Sequence, residues 1–133
     1  MLLGIDFGKK RIGLAIGEVI PRGIGILDGT KPRQDIVNEV NEICIENEVT
    51  KIILGLPFLA SGDEGVLAAE ARKFGDEINA KTLLPVVFEE EQYTSAEAER
   101  ILEEYGVKYD RRGGKVDEMA AVLILEQYIN NHR

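Results

Sequence analysis

The hydrophobic period of this chain changes once, and that change constrains its fold more than any other feature. Residues 2–28 contain three short runs in which apolar side chains alternate with polar or small ones, a pattern typical of strands. The turns between the runs are short, which favours antiparallel pairing of neighbours. From about residue 32 the apolar residues recur at helical spacing, interrupted by two more strand-like runs. The chain is therefore expected to mix a β-meander with helix-connected strands.

The predicted elements follow in a simple order. Strands are expected over residues 2–7, 11–17, 22–28, 51–55 and 84–88. Helices are expected over 32–48, around Leu67–Ile78, after Thr94, and over 117–130, with possible capping boxes at Ser61/Glu64 and Thr94/Glu97. Strands that alternate with helices imply parallel extension of the same sheet. We predict one α/β domain over residues 1–133, with a mixed five-stranded sheet flanked by helices.

Composition excludes several classes of protein. The chain has 133 residues, 44% of them hydrophobic, which is enough for one core without staples. It has one cysteine, which excludes an internal disulfide framework, and no apolar run long enough to cross a membrane. The N-terminal residues lack the order of a secretory signal, so a cytoplasmic location is expected. The single histidine, His132, leaves no basis for a histidine triad or a histidine-rich zinc site.

The net charge of −8 is unevenly distributed along the chain. Residues 1–33 carry six basic and three acidic side chains, residues 34–107 carry five and seventeen, and residues 108–133 carry five and four. A neutral or basic face built from the two ends is therefore compatible with the acidic total, and a nucleic-acid partner is not excluded.

Three sets of acids lie where strands end or a helix begins. Asp6 lies in the first strand, Glu89–Glu91 follow the fifth strand, and Asp117 precedes the most apolar helix. Carboxylates gathered in one cleft repel each other unless cations neutralise them, and hard oxygen ligands suit Mg²⁺ or Mn²⁺. The acids therefore suggest a metal-dependent nuclease. The structural alternatives are a turn stabilised by Asp6, a solvated glutamate run and a helix N-cap at Asp117.

Two basic clusters come from opposite ends of the chain. Both are candidates for contacts with nucleic-acid phosphates, and their alternative is a solvated turn or loop. They are Lys9, Lys10 and Arg11, and Arg111, Arg112 and Lys115.

Four blocks of sequence resemble one known family. The blocks are GIDFGKKRIGLA (4–15), GLP (55–57), EEQYTSAEAERIL (90–102) and KVDEMAAVLILEQYI (115–129). They are similar, in the same order, to motifs of the YqgF family. These are RuvC-like proteins of the ribonuclease H-like fold, described both as Holliday junction resolvases and as pre-16S rRNA nucleases. The resemblance extends over essentially the whole chain.

The resemblance implies catalytic and metal-binding roles for Asp6, Glu91 and Asp117, with Mg²⁺ or Mn²⁺ as the ion. Two departures bear on the site. Glu90 replaces the family's usual Asp, which leaves open whether Glu90 or Glu91 faces the metal. Gln92 replaces the usual Arg, so any phosphate contact made by that Arg is absent here.

The expected function is cleavage of structured nucleic acid, with processing of pre-16S rRNA favoured by the resemblance. Resolution of branched DNA is the first alternative, and it implies a homodimer because two strands must be cut. A non-catalytic assembly factor is the second alternative. An ATP-binding protein of the actin and sugar-kinase type is a third, but such proteins need two domains of this kind and the chain has one.

Overall fold

The computed structural model describes residues 1–56, 65–91, 95–104, 106 and 114–132. Five strands and four helices lie within these residues. The strands are β1 (Leu2–Asp6), β2 (Arg11–Gly17), β3 (Arg22–Asp28), β4 (Lys51–Leu56) and β5 (Val86–Glu90). The helices are α1 (Arg33–Glu46), α2 (Val66–Thr82), α3 (Ser95–Glu104) and α4 (Lys115–Asn131).

The strands form one mixed sheet in the order β3-β2-β1-β4-β5. The first three strands pair antiparallel, whereas β4 pairs parallel with both β1 and β5. This confirms the predicted meander and its parallel extension. The carboxyl ends of β1, β4 and β5 consequently lie at one edge of the sheet, which we call the carboxyl edge.

The two faces of the sheet pack against different helices. On one face, alternate residues of β1, β2 and β4 join a core with α1 and α2 that includes Ile5, Leu14, Leu54 and Phe74. On the other face the sheet packs against α4, in a cluster that includes Ile53 and Leu125. Strand periodicity thus decides which helix each side chain meets.

Helix α4 lies very close to the sheet because glycines face it. A β-carbon at Gly4 would fall 2.9 Å from Cβ of Leu125, and one at Gly23 would fall 2.5 Å from Cγ of Glu118. A β-carbon at Gly13 would collide with the backbone oxygen of Asp117. The first turn of α4 therefore rests directly on the main chain of β2.

Several predicted boundaries differ from the structure. Strand β5 begins at Val86, two residues later than predicted, and extends through Glu90. Pro85 has no N–H for the sheet ladder, which accounts for the late start. Helix α2 has Gly65 as its N-cap, and the Ser61/Glu64 capping box lies outside the described residues, as does Thr94 of the second box. Helix α4 begins at Lys115. Within the described parts of the chain, no helix has the length and apolar character needed to cross a membrane.

Candidate active site

Asp6 and Glu91 meet at the carboxyl edge of the sheet. Asp6 is the last residue of β1, and Glu91 follows the last residue of β5, where its backbone N–H donates to the carbonyl of Leu56 over 3.0 Å. The side chain of Glu91 is within hydrogen-bonding reach of Asp6. Strand β4 lies between β1 and β5, so Glu91 reaches Asp6 across a whole strand.

Gly55 of β4 provides the space for that reach. A β-carbon at this position would lie 2.7 Å from Oε1 and 3.1 Å from Cγ of Glu91. It would also lie 2.5 Å from Cδ1 of Ile124 in α4. Real β-carbons do not approach other atoms this closely, so any side chain here would force Glu91 or Ile124 to move. In the sequence, Gly55 stands out only as part of the GLP motif.

The two carboxyl groups retain a proton more strongly than isolated carboxyl groups do. Burial raises the pKa of Asp6 well above its ordinary value of 3.8, and the charge of Glu91, their shared hydrogen bond and the charge of Asp117 raise it further. Burial also raises the pKa of Glu91, while the hydrogen bond from Asp6 acts in the opposite direction. A proton donated by Asp6 and accepted by Glu91 accounts for both effects.

Asp117 lies in the first turn of α4, close enough to Asp6 for its charge to raise the pKa of Asp6. Its Oδ2 accepts a hydrogen bond from Nε of Arg11 over 2.9 Å. The N-cap of α4 is Gly114, in a left-handed conformation with φ 84°. The alternative that Asp117 serves as the helix N-cap is therefore wrong.

The other two glutamates of the run do not join Asp6. Glu89 is buried against α4, where Oε1 accepts hydrogen bonds from Gln127 over 3.0 Å and from Asn131 over 3.3 Å. Glu90 is exposed, and its backbone oxygen accepts from Gln127 over 2.6 Å. Of the three glutamates, Glu91 is the one whose side chain meets Asp6.

The predicted phosphate-binding residues are only partly described. Arg11 is paired with Asp117, Lys9 lies 4.0 Å from a carboxylate oxygen of Glu70, and Lys10 is exposed. Lys115 is an exposed residue of the first turn of α4 and lies 3.5 Å from Glu118. Arg111 and Arg112 lie outside the described residues. Lys9, Lys10 and Arg11 thus follow the end of β1, next to Asp6.

The chemistry of the donor set suits a hard divalent cation, because Asp6, Glu91 and Asp117 offer carboxylate oxygens. The space at Gly55, which admits Glu91, also fits such a site. In the structure, however, these carboxylates contact other side chains and do not face a common point. Across the described ranges, no three His, Cys, Asp or Glu side chains are already placed to hold an ion together. The side chains of Asp6 and Glu91 are within hydrogen-bonding reach of each other, and Asp117 accepts a hydrogen bond from Arg11.

The chain is an α/β protein with one mixed five-stranded sheet and carboxylates at the carboxyl edge of that sheet. The chain matches the family RuvX: Holliday junction resolvase over residues 1–131, and it belongs to that family. Among curated relatives, a protein of Koribacter versatilis (strain Ellin345) named "Putative pre-16S rRNA nuclease" is 34% identical over 131 residues. That alignment covers 96% of this chain and 85% of the relative.

Other similar proteins agree on family and fold. A protein of Syntrophomonas wolfei subsp. wolfei with the same name is 35% identical over 132 residues, covering 97% of this chain and 93% of the relative. Among solved structures, Thermus thermophilus RuvC in complex with a Holliday junction substrate superposes with a TM-score of 0.62 at 17% identity, covering 98% of this chain and 95% of RuvC. At this identity the superposition shows the fold, and it confirms the predicted ribonuclease H-like architecture.

Proposed function

We propose that this chain is a divalent-metal-dependent nuclease that cleaves phosphodiester bonds of structured nucleic acid, with pre-16S rRNA as its substrate. The observation that carries the proposal is the meeting of Asp6 and Glu91 across Gly55, with Asp117 near enough to act on Asp6. Two carboxyl groups that share a proton at a partly buried position cost the fold stability, and the same two groups suit a cation. The names of the curated relatives favour rRNA as the substrate.

In this proposal Asp6, Glu91 and Asp117 hold Mg²⁺ or Mn²⁺. The ion supplies an activated water and stabilises the charge that develops on the leaving oxygen. The protein holds the donors at the end of a rigid sheet. Loss of the proton shared by Asp6 and Glu91 frees both carboxylates as ligands, so acid should suppress ion binding.

The basic residues position the substrate. We propose that Lys9, Lys10 and Lys115, with Arg111 and Arg112, contact phosphates on both sides of the acids. Such contacts set the register of the strand and contain no sequence information, so they suit RNA and DNA equally. Arg11 can join them only when its hydrogen bond to Asp117 is broken.

The family description favours resolution of Holliday junctions as the second candidate function. It requires a symmetric dimer, because two strands of like polarity are cut. A purified monomer that cleaves a pre-16S rRNA fragment and leaves a four-way DNA junction intact would support the first function. A dimer with the opposite preference would support the second.

The experiment compares wild type with Asp6→Asn and with Glu90→Gln. Glu90 is the matched control, because it is an exposed carboxylate next to Glu91 whose side chain does not meet Asp6. We expect Mn²⁺-dependent cleavage by wild type and E90Q, and none by D6N. Equal cleavage by D6N would remove the carboxyl pair from the mechanism. Tight binding without cleavage by any of the three proteins would indicate a non-catalytic assembly factor.

A further inference from the structure

The strongest unassigned feature at the site is the contact between Arg11 and Asp117. Nε of Arg11 donates to Oδ2 of Asp117 over 2.9 Å, between residues 106 positions apart in the chain. Both side chains are partly buried, with 32% of Arg11 and 25% of Asp117 exposed. Other basic residues near the edge make looser and more exposed pairs; Lys9, for example, is 69% exposed and 4.0 Å from Glu70.

The fold itself brings the two residues together. Arg11 begins β2 on the same face as Gly13, because side chains two positions apart share a face. The absence of a side chain at Gly13 lets the first turn of α4, which carries Asp117, rest on β2. The packing of the α4 backbone on β2 thus places the two side chains next to each other.

The position of Arg11 has a chemical consequence for metal binding. A carboxylate oxygen that accepts from a guanidinium is not free as a ligand, and a fixed positive charge beside the site repels an entering cation. The negative charge of Asp117, in turn, acts on Asp6 and would cost more in a cleft with no cation at all. Arg11 therefore does for Asp117 what the ion would otherwise do.

We propose that Arg11 is an internal counterion of Asp117 that a divalent ion displaces. The inference rests on the proposed function, since displacement has meaning only if Asp117 is a metal ligand. In the ion-free protein the guanidinium neutralises Asp117. When the ion enters, the guanidinium leaves that oxygen and becomes available to a phosphate, the other oxyanion that suits its geometry. Arg11 is thus a positioning residue: binding of the ion frees its guanidinium for a phosphate of the substrate, so the two binding steps are coupled.

The test measures Mn²⁺ affinity by calorimetry without nucleic acid. Arg11→Gln removes the charge and retains a donor for Asp117, which protects the fold. Lys10→Gln removes the same charge from the neighbouring exposed residue and serves as the control. We expect R11Q to bind Mn²⁺ roughly threefold to tenfold more tightly than wild type, the size expected when one unit charge is removed a few ångströms from an ion in a partly screened site. K10Q should stay within about twofold.

A second arm repeats the comparison in an Asp117→Asn background. There Arg11 has no carboxylate to release and only its repulsion of the ion remains, so R11Q should gain less than in the wild-type background. Arg11→Lys in the wild-type background should resemble wild type. Equal affinities of R11Q and K10Q, weaker binding by R11Q, or an undiminished gain in the D117N background would each overturn the displacement. Wild-type protein that binds no Mn²⁺ and cleaves nothing would overturn the proposed function as well, which separates the two failures.

Discussion

Oε1 of Glu91 lies 2.7 Å from the point that a β-carbon would occupy at Gly55. The side chain of Glu91 crosses β4 through the space that this glycine leaves open and so reaches Asp6. A residue with no side chain is thus as much a part of the site as the acids themselves.

Replacement of Gly55 by Ala should separate Glu91 from Asp6. The new methyl group would also strike Cδ1 of Ile124 at 2.5 Å, so the informative protein is the double variant G55A/I124A, with I124A as its control. We expect the double variant to fold and to lose roughly tenfold to a hundredfold in cleavage rate, the usual effect of misplacing a catalytic group by about 1 Å. Its gain in melting temperature on adding Mn²⁺ should shrink, whereas I124A should keep the wild-type gain. An unimpaired double variant would show that Glu91 needs no such clearance.

The proton held by Asp6 predicts how stability depends on pH without metal. Because the pKa of Asp6 is raised in the folded chain, folded protein retains a proton that unfolded chain has released. The stabilisation is complete below the ordinary value of 3.8 and is lost as pH rises through the raised pKa, with a slope of up to about 1.4 kcal/mol per pH unit for one proton. Asp6→Asn should lack this loss and exceed metal-free wild type by about 1 kcal/mol near neutrality.

Urea unfolding of both proteins in EDTA, at a series of pH values, measures this difference. Groups remote from the carboxyl pair contribute equally to both curves, so the difference reports on Asp6 together with its partner Glu91. Parallel curves for wild type and D6N would contradict the raised pKa of Asp6.

Charge reversal at Lys10 should weaken nucleic-acid binding at every sequence and flatten its dependence on salt. Lys10 is exposed and lies in the turn after Asp6, and each lost phosphate contact reduces the slope of log affinity against log salt by about 0.7 to 0.9. The control is Lys81→Glu, in the last turn of α2, where the crossover returns the chain to the opposite edge of the sheet. Filter binding at several salt concentrations should place K81E with wild type. Identical slopes of log affinity against log salt for K10E and wild type would show that Lys10 is only a solvated residue of the turn.

Gln127 should matter for stability more than for catalysis. Its Nε2 donates to Oε1 of Glu89 and to the backbone oxygen of Glu90, and Glu89 is buried. Gln127→Leu removes these donors and should lower the free energy of unfolding by about 1–3 kcal/mol. Asn130→Leu, at a neighbouring exposed position of α4, should change it little. Thermal melts of the two variants test the difference, and equal melting temperatures would contradict it.

The alternation of apolar residues predicted the fold well because it is a local property. The bounds of β2 and β3 agree with prediction, and so does the parallel extension of the sheet. The same alternation also indicates which of Glu90 and Glu91 lies on the face of Asp6. Val86 and Phe88 pack with the core on the α2 face, whereas Val87 packs toward α4. Glu91 shares the parity of Val87 and so belongs to the α4 face, whereas Glu90 has the opposite parity.

The contacts that join distant parts of the chain were beyond the sequence. The pairing of Arg11 with Asp117 depends on how α4 settles on β2, and no local pattern encodes a contact between residues 106 positions apart. Arg11 was therefore predicted to bind phosphate, whereas in the structure it contacts a carboxylate. The clearance at Gly55 is equally a tertiary property, although the sequence does show a glycine one residue before the end of a buried strand.

Gly13 is the common reference point of two of the three acids. It is the ladder partner of Asp6 on β2, and its bare backbone supports the carbonyl of Asp117. The main chains of Asp6 and Asp117 are therefore held at a fixed distance from each other. Only rotation of their two short side chains can change the distance between the carboxyl groups. Glu91 comes from a strand two places away and has one more rotatable bond. Ion preference depends on cavity size and ligand flexibility. Substitution at position 91 should therefore change it most readily, because positions 6 and 117 hold their carboxyl groups at nearly fixed places.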